Sequence, residues 1–263
     1  NPNVDIELVA FSSESYEGKL IQASKDGELP DLFESTGIDS SYLGDAVNVD
    51  NVLSSRQAGE CLYLEQYDKY YSDKKKVPLG INVPVVAVIT NGNVKAGWLT
   101  DTFSSMSDLK NVLEENDVGI AVDSQYKDFI AKTFSVYDMK PEYYFMNNDA
   151  NKSAVMLTTT MRVDEIKSTL TKYQKNFTFS EADKVHGEFI YEWSIGATEE
   201  NDIRAAETLL SWMLGASYQD TLMISSCSDG QLPVNKDCLI KAVTHGDELL
   251  GLHDTYKNLV FEN

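Results

Sequence analysis

The stretch VDIELVAFSSESYEGKLIQASKDGELPDLFES, residues 4–35, decides the fold class. Its first eight residues alternate. Val4, Ile6, Leu8 and Ala10 share one face, while Asp5, Glu7 and Val9 share the other, the period of a strand with one covered side. Ser12 or Ser13 then caps a helix, with Glu14 and Glu17 near its positive end, and Gly27 stops it. Gly27-Glu28-Leu29-Pro30 turns the chain into a short buried strand, Asp31 to Phe33. Strand, helix and strand in that order predict α/β layering, with the two strands as a parallel pair. The apolar face of residues 4–11 needs cover, which the remaining strands or residues 188–195 are expected to supply. Asp5 and Glu7 discourage pairing with a second copy.

Further along, residues 40–76 read as helical and polar, a solvated surface with Tyr67, Tyr70 and Tyr71 near Lys74-Lys75-Lys76. Val83 to Thr90 is the most apolar run, and Asn91-Gly92 after it marks a hairpin. Ser107 caps a helix at 108–115, and Val118 to Val122 reads as a buried strand followed by a helix at 126–134. Ser153 to Thr158 reads as another buried strand, opening at Thr159, Thr160, Met161 and Arg162 into a helix at 163–173. Residues 188–195 alternate. Thr198 starts an amphipathic helix with the stripe Ile203, Ala206, Leu209, Leu210 and Met213, stopped at Gly215. A second helix covers 218–224.

The chain has 263 residues, and its 22 Lys and Arg against 42 Asp and Glu leave a net charge of −20. Such acidity argues against nucleic acid as a partner. No run of eighteen apolar residues spans a membrane. Three cysteines are too few for a disulfide framework, although Cys227 and Cys238 flank a turn and either pair or do not. His186, His245 and His253 are scattered, so metal ligation is not expected. Walker A, G-x-G-x-x-G, H-E-x-x-H, G-x-S-x-G and EF-hand motifs are all missing. The expectation is a chain that is not an enzyme and needs no cofactor.

Five segments, in order over residues 1 to 236, resemble the extracellular solute-binding proteins of bacterial ABC importers, family 1 (maltose-binding-protein-like). Asn1 to Val9 is similar to that family's "N-P-x-hydrophobic-x-V" strand. Gly27 to Phe33 resembles its G-x-x-P-D loop, and Val77 to Asn82 its "P-x-G" crossing. Asn151 to Leu157 resembles its "G-K-x-A-M" strand. Ala205 to Leu214, then Gly230 to Lys236, resemble its late helix and "G-x-x-P-x-N-K" turn. Family members carry a strand and helix before the first match and a longer tail after the last, so the chain reads as trimmed at both ends.

The resemblance implies a two-lobed α/β fold of the periplasmic-binding-protein type (type II). Each lobe is a mostly parallel sheet flanked by helices, with ligand in the cleft and hinge closure around it. Lobe 1 is expected at residues 1–82 and 190–244, lobe 2 at 83–189 and 245–263, with hinges near 80–84 and 188–195. The implied ligand is a small solute, a sugar or oligosaccharide, delivered to the transmembrane subunits of an ABC permease. The implied location is extracellular, on a membrane-anchored lipoprotein.

Ligands of open α/β sheets lie beyond the carboxyl ends of strands. The candidates are therefore Glu34, Ser35 and Thr36 after the 31–33 strand, Asn82 at the crossing, Thr159, Thr160 and Arg162 after the 153–158 strand, and Tyr191 and Trp193 near the return crossing. Carboxylates, amides and Arg suit sugar hydroxyls, and flat aromatics suit C–H faces. Each has a structural alternative. Glu34 also reads as a solvated loop charge, Trp193 as core, and Arg162 as a helix cap or a partner of Asp164 or Glu165. Tyr191 and Trp193 alternate on one strand face, so they stand together. Trp98 reads as core and Trp212 as helix packing. A sensor or interaction domain feeding a signalling protein is the alternative function, and a hydrolase the third.

Overall fold

The computed structural model describes residues 5–90, 111, 115, 120–133, 142–144, 155–162, 174–178, 185–226, 232–239 and 259–261. The strands are β1 Leu32–Glu34, β2 Val77–Asn82, β3 Pro84–Thr90, β4 Ile120–Asp123, β5 Glu142–Tyr144, β6 Val155–Thr159, β7 Gln174–Thr178, β8 Val185–His186, β9 Glu188–Ile195, β10 Leu232–Pro233 and β11 Leu259–Val260. The helices are α1 Ser13–Asp26, α2 Asp50–Leu53, α3 Arg56–Gly59, α4 Leu64–Tyr70, α5 Lys127–Thr133, α6 Glu200–Met213 and α7 Ala216–Ser226, with single 3₁₀ turns at Ser40–Leu43 and Thr160–Arg162. Two compact units result. One comprises residues 1–80, 189–219 and 234–236, and the other 81–188, 220–233 and 237–263.

In the first unit, α1 begins after Ser12 and ends where Gly27 takes a left-handed φ of 71°. There the Glu28 N–H donates to the Ala23 carbonyl at 2.8 Å, closing the last turn. Leu20 on α1 packs into a core with Phe33, Ile38, Leu43 and Ala46. The strands of its sheet lie in the order β1-β9-β2.

Residues 5–11 depart from expectation. They form no strand among the described residues, and Ile6, Leu8 and Val9 are 73%, 87% and 60% exposed. Alternation shows that a segment can lie on a sheet, but its N–H and C=O groups still need a neighbouring strand. β1 instead pairs antiparallel with β9, in the register Leu32↔Ile195 to Glu34↔Trp193. The expected parallel pair of residues 4–11 and 31–33 is therefore not formed, and residues 188–195 do not cover the first segment.

Residues 40–76 depart as well. The helices are short, and Tyr63, Tyr67 and Tyr71, four residues apart, are buried. Their rings pack in a row, tilted against one another, with Tyr63 edge-on to Phe189 at 5.0 Å between centroids and Tyr71 stacked on it at 5.7 Å. An aromatic row along α4 and its two flanking residues replaces the expected solvated surface. Tyrosine hides such a stripe from a polar count because only its tip is polar. On α6, Ala206, Leu210 and Met213 are buried as the stripe requires, whereas Trp212 is 52% exposed and packs only in part, against Tyr218.

The second unit holds the sheet β5-β4-β6-β3-β7. β4 runs parallel to β5 and β6, and β3 antiparallel to β6 and β7, so the sheet is mixed. Leu157 lies opposite both Val86 and Val122 and is fully buried. A small parallel pair, β8 with β11, completes the unit. There Gly187 lets the Phe261 ring come close, since a Cβ at residue 187 would stand 2.7 Å from Phe261 Cε1. The Asn91-Gly92 hairpin, Trp98, most of the helix at 108–115, the helix at 163–173, Cys227, His245 and His253 lie outside the described residues.

Candidate functional site

Two groups of polar side chains gather at strand ends, one in each unit. In the first unit the β1–β9 register sets Glu34 opposite Trp193. The Thr36 hydroxyl donates to Glu34 Oε1 at 3.0 Å and accepts the Glu192 N–H at 2.9 Å. The Ser35 N–H donates to the Glu192 carbonyl at 2.6 Å, and its buried hydroxyl shares a 2.8 Å bond with that of Ser194. Along β9, Glu192 and Ser194 are buried while Tyr191 and Trp193 are half-buried.

Glu192 is held from two sides. Its Oε1 accepts the Tyr71 hydroxyl at 2.6 Å and its Oε2 the Lys76 ammonium at 2.8 Å. Lys76 Nζ also donates to the Ile38 carbonyl at 2.8 Å. A buried carboxylate with a cation and a hydroxyl on it is satisfied. Tyr191 carries a left-handed φ of 54°, costly for a residue other than glycine. Gly80 faces it, and a Cβ at residue 80 would lie 3.0 Å from Ile190 and 3.1 Å from Tyr191.

Tyrosine titration follows from this burial. The Tyr71 phenol is pushed well above its ordinary value, by burial first and the Glu192 carboxylate second. Tyr67 moves the same way, by burial and then by Asp73. Tyr16, whose hydroxyl donates to the Glu34 carbonyl at 2.6 Å, is raised to about 12 by burial and the Glu34 charge. Unfolded tyrosines lose their protons near pH 10. Above that pH the unfolded chain binds fewer protons than the folded one, so stability falls as pH rises from about 10 through 12. The urea midpoint should be flat below this window and drop within it, with Tyr16→Phe and Tyr71→Phe each making the drop shallower.

In the second unit Asp123 ends β4 and is fully buried. Its Oδ2 accepts Arg162 Nε at 3.1 Å and the Thr158 hydroxyl at 3.2 Å, and its Oδ1 accepts the Gln125 N–H at 3.0 Å. Arg162 also donates to Gln125 Oε1 and lies 5.3 Å from the Tyr126 ring centre. Asn82 Oδ1 accepts the Thr160 hydroxyl at 3.1 Å, and its Nδ2 donates to Glu188 Oε2 at 3.2 Å. The Thr159 hydroxyl is buried and has no hydrogen-bond partner among the described residues. β4 and β6 are parallel, so Asp123 and Arg162 stand together at their carboxyl ends.

The expected residues thus fall into two sets. Glu34, Ser35, Thr36, Tyr191 and Trp193 gather in the first unit, and Asn82, Thr159, Thr160 and Arg162 in the second. Ser35, Asn82, Thr159 and Thr160 are fully buried. Arg162 pairs with Asp123, while the helix it was expected to cap, with Asp164 and Glu165, lies outside the described residues. Sequence reading missed Lys76, Tyr71 and Glu192 on one side and Asp123, Gln125 and Tyr126 on the other. The available signal was a charge inside an apolar strand, at Glu192 and at Asp123. Among the described residues no group of three or more His, Cys, Asp or Glu side chains is placed to hold a metal ion, and no helix is long and apolar enough to cross a membrane.

No family model matches this sequence, and no curated protein does. Solved structures do match. A cyclic α-maltosyl-1,6-maltose binding protein from Arthrobacter globiformis superposes with a TM-score of 0.71 at 12% identity, over 95% of this chain and 78% of that one. The fold is a two-lobed periplasmic-binding-protein-like α/β fold. The same fold relates the chain to the GacH receptor of Streptomyces glaucescens, with a TM-score of 0.65 at 14% identity over 99% of this chain and 80% of that one. A third is an ABC substrate-binding protein from Listeria monocytogenes in complex with cycloalternan, at 0.66 and 12% over 100% of this chain and 81% of that one. At such identities the binding-protein-like fold is shared, and the site has to be argued from this chain's own residues.

Proposed function

We propose that this chain is an extracellular solute-binding protein of family 1. It holds a neutral sugar or oligosaccharide by closure of two lobes and delivers it to an ABC permease, without catalysis. One observation carries the reading: over 95% of its length the chain shares its fold with a protein named for binding a cyclic maltosaccharide, and the other matches named above are a GacH receptor studied with acarbose and a protein bound to cycloalternan. The lobes of this reading are those expected from the crossing motifs, 1–82 with 190–244 and 83–189 with 245–263. A lipid anchor on the full-length protein belongs to the same reading.

Within it, Glu34, Thr36 and Arg162 meet sugar hydroxyls, while Tyr191 and Trp193 meet the C–H faces. Ser35, Asn82, Thr159 and Thr160 line the site from behind through their neighbours. Ligand binding to the folded state raises its melting temperature. Maltopentaose, mannotriose or acarbose should do so here. Trp193→Ala should weaken that binding by about 1–3 kcal/mol, read by calorimetry, with the unliganded melting temperature nearly unchanged. A large loss of melting temperature with unaltered affinity would place Trp193 in the core. Turnover of any of the three sugars would favour a hydrolase.

A further inference from the structure

We infer that the groove between α2, α3 and α6 is a second carbohydrate-binding site, which holds one or two pyranose rings against Trp212. It has a volume of about 420 Å³ and is lined by Asn51, Gln57, Glu207, Thr208, Ser211 and Trp212, all within the first unit. That volume is at the small end of ligand pockets.

The apolar half of the site is one indole. Trp212 is 52% exposed on a helix whose Leu210 and Met213 are buried. Tyr218 braces it, with ring centres 4.8 Å apart at 57°. One indole face is thus backed by protein, and its exposed apolar area costs free energy that a stacked ligand relieves. The C–H face of a pyranose ring matches a flat indole in size and polarity.

The polar half lies at the edge of that ring. Asn51 Nδ2 donates to Glu207 Oε1 at 2.8 Å, which fixes both groups and leaves Asn51 Oδ1 and Glu207 Oε2 to accept hydroxyl protons. The Gln57 stem is anchored beside Gly215, 3.2 Å from where a Cβ on residue 215 would stand, with its carboxamide as both donor and acceptor. Ser211 adds a hydroxyl. Thr208 contributes only shape, since its hydroxyl donates to the Arg204 carbonyl at 2.7 Å. Among the described residues no cation lines the groove and one carboxylate does, which disfavours phosphorylated or carboxylated ligands and favours neutral polyols.

The test uses the full chain labelled with ¹⁵N, whose three tryptophans give separate indole resonances. Trp212→Phe assigns the signal. On titration with maltopentaose, mannotriose and acarbose, at least one sugar should move the Trp212 indole resonance saturably. The movement should persist in Trp193→Ala and weaken at least tenfold in Glu207→Gln. A Trp212 resonance that stays still with all three sugars overturns the second site. So does a movement that vanishes in Trp193→Ala, because it then reports the principal site. A still Trp193 signal beside a moving Trp212 signal would count against the principal site alone.

Discussion

Replacing Glu192 with Leu should lower the unfolding free energy by about 3–5 kcal/mol. The change strands Lys76 in a setting where its side chain is only 8% exposed and where one carbonyl, that of Ile38, is left to accept its protons. Tyr71 loses the acceptor of its hydroxyl in the same step. An unpaired buried charge costs more than the pair contributed, because its desolvation is no longer offset. The double variant Glu192→Leu with Lys76→Met should therefore regain much of the loss. Urea denaturation of the two single variants and the double variant closes a cycle. Additive losses, with the double variant worse than either single one, would show that the pair is not a coupled buried unit.

The second large effect belongs to Arg162. Arg162→Met should cost about 3 kcal/mol, since it uncovers the charge of Asp123, which is 0% exposed. Thr158 and Gln125 still donate to the carboxylate, which keeps the loss at the lower end of that range. Arg162→Lys should not restore it. An ammonium keeps the charge but lacks the planar fork that reaches Asp123 and Gln125 together while lying over Tyr126. Adding Asp123→Asn to Arg162→Met should recover stability but not sugar affinity if Arg162 also meets ligand hydroxyls. Full affinity in the double variant would assign Arg162 a purely structural role. Calorimetric titration with maltopentaose beside urea unfolding separates the two outcomes.

How far the sequence carried the reading differs from element to element. The helix ending at Gly27 was legible because a left-handed stop is local chemistry. β4, β6 and β9 were legible because their apolar runs are bounded by turns and charges. The α6 stripe was legible at Ala206, Leu210 and Met213, while Trp212, read apart from it as helix packing, is half exposed with Tyr218 against it. Candidate site residues after β1 and β6 were found from the rule for strand ends. Their partners were not, because Lys76 and Glu192 are 116 residues apart, and Arg162 and Asp123 are 39 apart.

The chain by itself determined an α/β protein, acidic and without the motifs of common enzymes, with α1, α5, α6, α7 and the strands β1, β3, β4, β6 and β9 placed by periodicity, caps and glycine. Those signals act over a few residues, and a few residues suffice to read them. Tertiary structure alone decided three things. It left residues 5–11 without a partner strand and paired β1 antiparallel with β9. Three tyrosines were turned into a buried wall against Phe189. Two carboxylates within strands each received a cation from a distant segment. The physical reason is common to all three. Hydrogen-bond pairing, ring stacking and charge compensation are satisfied by whichever group the fold brings near, and a strand's pattern records its need for a partner without recording which partner it gets.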